Sequence, residues 1–148
     1  MRFAAVSEAL GRDAIVVGFA AKNRSEAIAE SGRLLVASGR VEQPYVDEMI
    51  KAVEDHGPYI VIAPGIALAH GRPSKLVLDT GISLVTLAES VPFGNEKNDP
   101  VRLVIGLAAF DHTAHLGMMR ELAVMLGDAE LVNSLLNAVT IQQIRDLL

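Results

Sequence analysis

Four short apolar segments crowd the middle of the chain: Tyr59–Ile62, Ile66–Ala69, Leu76–Leu78 and Ile82–Leu87. Only turn chemistry separates them, at Pro64-Gly65, Arg72-Pro73 and Thr80-Gly81. Their length and aliphatic content read as strands. Parallel neighbours need a crossover of about a dozen residues or more, which these turns do not supply. Some of the strands must therefore pair antiparallel, and any fold open to the chain has to contain that pairing.

The flanks read differently. A short, weakly helical pattern over residues 1–11 stops at Gly11, and Ala14–Phe19 is an apolar run of strand length. Asn23 with Glu26 three residues on forms a capping box for a helix that reaches Gly39. After Gln43-Pro44, the stripe Val46, Met49, Ile50 and Val53 predicts a second helix ending near His56-Gly57-Pro58. Asn95–Pro100 is the most polar hexamer and reads as a surface loop, and Val101–Phe110 reads as a central strand. Three helical stretches close the chain: Thr113–Leu126, Ala129–Leu136 and one opened by the Thr140/Gln143 cap pattern. This order predicts an α/β fold, a three-layer α/β/α sandwich on a mixed parallel/antiparallel sheet, with residues 1–148 as a single domain.

Hydrophobic residues make up 51% of the chain and aromatics only 4%, so the core must be built from Ala, Val, Leu and Ile. The net charge of -5 argues against a nucleic-acid partner. Pro64, Gly65 and Gly106 break the apolar runs well short of the ~20 residues that a membrane span needs. Glu8, Arg12 and Asp13 interrupt any signal-peptide character, and a cytoplasmic protein is expected.

Few side chains can carry chemistry. Without cysteine, thiol chemistry and disulfides are excluded, which fits a reducing compartment. Phosphate-binding glycine motifs are absent, and Ser74 and Ser83 lack the nucleophile elbow. What remains is four histidines. His56 lies in a polar stretch where a cation suits a helix C-terminus. His70 ends an apolar run, and Ala67, Ala69 and Gly71 leave space around its ring. It is either a strand-end histidine satisfying a backbone carbonyl or an imidazole open to accept a group. Arg72 points to the same side if the strand continues, and can meet an anion.

His115 falls in the first turn of a helix whether Asp111 or Thr113 is its cap, and shares an inward stripe with Met119, Leu122 and Leu126. It is either a core-edge histidine or a second site group, while His112 reads as a loop residue. Metal is not expected: zinc takes three or four ligands, and His112-x-x-His115 offers two with no H-E-x-x-H pattern. Two histidines without metal point to phosphoryl chemistry. A neutral imidazole nitrogen attacks phosphorus without first losing a proton. A second imidazole can donate an N–H to a phosphoryl oxygen.

Gly65-Ile66-Ala67-Leu68-Ala69-His70 resembles the G-I-A-[IL]-P-H signature of the fructose/mannitol-type enzyme IIA domains of the bacterial phosphotransferase system. Gly39 with Tyr45, Met49 and Ile50, Phe93-Gly94-Asn95 with Pro100-Val101, and His115-Leu116 with Leu122 and Leu126 resemble other parts of such domains. Pro58–Gly65 is most similar to the ascorbate-type branch. The resemblance implies that His70 is the phosphoacceptor and that His115 orients it or binds the phosphoryl group. It implies HPr as donor and the cysteine of an enzyme IIB as acceptor, with the membrane permease IIC served indirectly and room for a homodimer. No cofactor is implied. Two departures stand out: Ala69 replaces the family's proline, and Ala52 stands where mannitol-type members carry an arginine, which leaves Arg72 as the candidate anion partner. The partners are expected to dock on an apolar dish formed by Ile66, Leu68 and the helix beginning at His115. The alternative is a regulatory relative, whose phosphorylation state controls a partner protein rather than transport.

Overall fold

The computed structural model describes residues 3–148, the Arg12 side chain excepted. Met1 and Arg2, which belong to the helical reading of residues 1–11, lie outside the described residues. The elements run α1 (Ala4–Ala9), β1 (Leu10–Phe19), α2 (Arg24–Ala37), α3 (Pro44–His56), β2 (Val61–Ala63), β3 (Ile66–His70), β4 (Gly81–Val91), β5 (Val101–Ala108), α4 (His112–Leu126), α5 (Ala129–Asn137) and α6 (Ile141–Leu147). No described helix is long and apolar enough to cross a membrane.

The strands form one sheet in the order β1-β4-β5-β3-β2. β1 runs parallel to β4 and β3 parallel to β5, while β4 pairs antiparallel with β5 and β2 antiparallel with β3. The sheet is mixed, as the short turns demand. Residues 81–87 of β4 and 103–108 of β5 are buried without alternation, so both faces of the sheet are covered. Helices α2 and α3 form one layer, and α1, α4, α5 and α6 pack on one another to form the other.

Side-chain caps mark the starts of α2, α4, α5 and α6. The Asn23 side chain accepts from the Glu26 N–H at 2.9 Å, but the Glu26 carboxylate bonds the Lys22 N–H at 3.0 Å rather than that of Asn23. Asp111, not Thr113, caps α4, accepting from the Ala114 N–H at 2.8 Å. The Thr140/Gln143 box forms in full.

Three strand expectations need correction. Leu76–Leu78 is not in the sheet. Val77 makes an isolated bridge to Val41, and the Glu42 N–H donates to Leu76 O at 2.8 Å. A local turn at Ser74 bends this segment against the α2–α3 connection, and Leu78 is left exposed. Tyr59–Ile62 shrinks to a strand that begins at Val61, because residues 59 and 60 form a turn closed by the Val61 N–H on Pro58 O at 3.2 Å. Ile60 is buried all the same, so its hydrophobicity reports burial and not extension. The last strand likewise stops at Ala108, with Phe110 exposed.

Helix α2 sits hard against the sheet. The Ser83 hydroxyl donates to Ser31 O at 2.8 Å, and the Ser31 hydroxyl donates to Ile28 O at 2.7 Å. A Cβ on Gly106 would overlap Ser83 Oγ and lie 3.2 Å from Ser31 O, so only glycine permits this approach.

The polar loop is a built structure. The Asp99 carboxylate accepts the N–H groups of Phe93, Gly94 and Asn95 at 2.7–3.0 Å. Asn98 then donates from its side chain to Val61 O at 3.1 Å and accepts the Gly65 N–H on its backbone oxygen at 2.9 Å. The loop thereby grips the hairpin that leads into β3. Asp99→Ala should destabilise the fold by roughly 1.5–3 kcal/mol, the worth of hydrogen bonds to a charged acceptor. Urea unfolding of the variant beside the parent measures it; an unchanged midpoint would show that the carboxylate does not hold the loop.

Candidate functional site

β3 runs from the buried core to the surface. Ile66, Ala67, Leu68 and Ala69 are buried, and His70 emerges half-buried where the strand runs out opposite Leu107 of β5. Its Nδ1 lies 2.9 Å from the Leu68 carbonyl oxygen. A carbonyl can only accept, so Nδ1 carries the proton and Nε2 keeps its lone pair. The two readings of His70 thus coexist on one ring: one nitrogen satisfies a backbone carbonyl, and the other is left as a base or nucleophile.

His115, four residues past the Asp111 cap, brings the second imidazole to the same place. The ring centroids of His70 and His115 are 5.8 Å apart, tilted by 48°. The Tyr59 ring meets His70 edge-on at 6.0 Å. Burial pushes the His115 pKa below its ordinary 6.5, and repulsion from His70 and then His112 adds to the effect. His115 is therefore held uncharged near neutral pH, able to supply an N–H beside the open nitrogen of His70.

Arg72 is exposed on the wall of a cleft of about 510 Å³ that it shares with His70 and Tyr59. Charges there are mixed. Lys51 lines the cleft with Arg72, but so do Glu48, Ala52 and Asp55. His56 sits exposed at the end of α3 and borders the same cleft. His112, read as a loop residue, is instead the first residue of α4, because Asp111 takes the cap. Among the described residues no group of three or more His, Asp or Glu side chains is placed to hold a metal.

The expected apolar dish is made of other residues. Ile66 and Leu68 are 3% and 0% exposed, since both faces of β3 are covered, and neither can meet a partner. The apolar groups that do face outward near the imidazoles are Tyr59, in contact with His70, and Leu116, next to His115 in the chain. Tyr45 carries a role that periodicity does not show. It is wholly buried in the first turn of α3, and its hydroxyl accepts the Gly71 N–H at 2.9 Å and donates to Leu107 O at 3.1 Å. The available signal was a tyrosine on an otherwise apolar helix face, since a buried hydroxyl needs partners.

The mixed five-stranded sheet is the fold that comparison with known proteins also finds. Residues 8–148 match the family described as "Phosphoenolpyruvate-dependent sugar phosphotransferase system, EIIA 2", and the chain belongs to that family. It is 43% identical over 117 residues to the ascorbate-specific PTS system EIIA component of Shigella boydii, covering 78% of this chain and 75% of that protein. The solution structure of the mannitol-specific cryptic phosphotransferase enzyme IIA CmtB from Escherichia coli superposes with a TM-score of 0.87 at 34% identity, over 99% of this chain and 97% of that one. The enzyme IIA in a complex of mannitol-type IIA with phosphorylated IIB from Escherichia coli gives a TM-score of 0.81 at 30% identity, over 93% and 94% of the two chains. The chain is thus similar to phosphocarrier components of sugar phosphotransferase systems, and to ascorbate-specific ones in particular.

The depressed His115 pKa carries a consequence for stability. Below pH 6.5 the unfolded chain takes up a proton at this position more readily than the folded one, so stability is lost as pH falls toward the folded pKa and is fully present above 6.5. Between pH 7.5 and 5.5 the parent should lose more Tm than His115→Asn does. Equal losses in the two proteins would show that this histidine is not held neutral by the fold.

Proposed function

We propose that the chain, acting as one enzyme IIA domain in the cytoplasm, accepts a phosphoryl group from phospho-HPr on Nε2 of His70 and passes it to the cysteine of an enzyme IIB in ascorbate-type uptake. The observation that carries this reading is the Nδ1–H of His70 held on Leu68 O, 5.8 Å by ring centroid from a second imidazole. The Nε2 lone pair attacks phosphorus and forms the new P–N bond. The donor's P–N bond breaks, and its electron pair returns to the donor imidazole. No proton has to leave His70, because its Nδ1–H remains on Leu68 O, and that bond strengthens as the ring becomes cationic. His115 donates an N–H to a phosphoryl oxygen in the transition state. In the second half the cysteine thiolate attacks the same phosphorus, and the His70 ring leaves neutral.

Tyr59 and Leu116 form the rim on which donor and acceptor dock in turn, each briefly, since both must meet one histidine. Arg72 flanks the transferred group from the cleft wall. The relative solved with phosphorylated IIB supports an acceptor of that kind, and the names of the curated relatives favour transport of ascorbate over a regulatory output.

Incubation with phosphoenolpyruvate, enzyme I and HPr should yield an acid-labile phosphoprotein. His70→Ala should take no label, and strong labelling of that variant would overturn the assignment. His115→Ala should slow labelling roughly 10²-fold, as loss of a transition-state donor does, without abolishing it. Complete loss with the fold intact would instead make His115 the acceptor.

A further inference from the structure

We propose that Tyr45 is a positioning residue for His70: its hydroxyl closes the end of the β3–β5 ladder and thereby sets the direction in which the imidazole faces. Registered pairing of these two parallel strands runs from Ile66 opposite Leu103 to His70 opposite Leu107, and stops there. Beyond it the Gly71 N–H and the Leu107 carbonyl would each lack a strand partner. Tyr45 reaches in from α3 and supplies both, accepting from Gly71 N at 2.9 Å and donating to Leu107 O at 3.1 Å. One side-chain hydroxyl stands in for one rung of the sheet, immediately after the residue that does the chemistry.

Local packing agrees. A Cβ on Gly71 would lie 3.1 Å from Tyr45 Cε1 and 3.2 Å from Cζ, so the ring presses directly on the backbone that follows His70. Burial pushes the Tyr45 pKa up to about 12, which keeps the hydroxyl protonated and donating throughout the working range. For filling volume, phenylalanine would serve as well. A buried hydroxyl is tolerated only with its bonds made, and both bonds here go to backbone at the site. His70 is thus held at three points: Ala69 opposite Gly106 before it, Leu68 O on its ring, and the Tyr45 clamp after it. Releasing the last lets the residue rotate, which loosens Nδ1–H from Leu68 O and misaims Nε2.

This inference rests on the phosphocarrier reading for its rate effect, but its structural part does not. The test compares full-length parent, Tyr45→Phe and Leu135→Ala, the last a fully buried residue of α5 used as a purely destabilising control. Nitrogen-15 NMR of the unphosphorylated proteins reads the His70 tautomer, and single-turnover labelling from phospho-HPr reads the rate. Tyr45→Phe should shift His70 from the Nδ1–H form toward a mixture and slow transfer roughly 10- to 100-fold, the scale of a sub-ångström misplacement. The phospho-HPr concentration giving half-maximal rate should stay the same, because the docking rim is untouched. Leu135→Ala should lower Tm and leave the tautomer alone.

An unchanged tautomer and rate in Tyr45→Phe, or an equal shift in Leu135→Ala, would overturn the proposal. If Tyr45→Phe does not fold, Gly71→Ala takes its place, because its methyl group displaces the same ring; it should give the same tautomer shift, and its absence is equally decisive. A tautomer shift in a protein whose parent takes no phosphate would sink the phosphocarrier reading and leave the clamp standing.

Discussion

The pairing of β3 with β5 is the contact on which both fold and site depend. β5 lies in the sheet between β3 and β4, parallel to one and antiparallel to the other, so it joins the two kinds of ladder. Without it, the hairpin of β2 and β3 would have no sheet to complete. With it, the buried run from Ile66 to Ala69 is drawn to the centre of the molecule, and the next residue is delivered at the sheet's end. The same strand leads into α4, so His70 and His115 are set by two consequences of one strand: its lateral pairing and its exit. Their proximity is a property of the topology and not of any direct bond between them.

What the site does with that proximity is electrostatic. His70 is locked as one tautomer by a main-chain acceptor two residues away, a bond that costs no additional side chain. His115 is kept neutral by burial and by its imidazole neighbours. A neutral His115 beside the open Nε2 of His70 sets a donor next to a lone pair. The cleft beside them is mixed in charge, lined by Glu48 and Asp55 as well as Lys51 and Arg72, so it does not hold free anions by charge alone. That fits a group delivered by another protein rather than captured from solution.

The legibility of the sequence varied from element to element for identifiable reasons. Polar caps were readable because Asn23, Asp111 and Thr140 bond to backbone within three residues, a strictly local event. Leu76–Leu78 and Ile60 were misread because apolar residues report burial, and burial is available to turns and bridges as well as strands. Ile66 and Leu68 were expected to face a partner for the same reason: composition does not say whether a strand end is covered by helices. The exposure of Tyr59 and Leu116 beside the imidazoles emerged only when the turn at residues 59 and 60 and the start of α4 were placed in space.

Taken alone, the sequence determined that the sheet is mixed and that the core is aliphatic, and it singled out His70 and His115 as the candidate pair, because each follows from local spacing or from the short list of groups able to react. Only the tertiary structure decided which nitrogen of His70 is left open, how near the second imidazole comes, and that Tyr45 sits at the end of the ladder. Those depend on contacts such as that between Tyr45 and Leu107, sixty-two residues apart, and no periodicity in the chain encodes them. They arise when β5 takes its place between β3 and β4, and burial then converts a tyrosine hydroxyl and two ordinary imidazoles into a directed site.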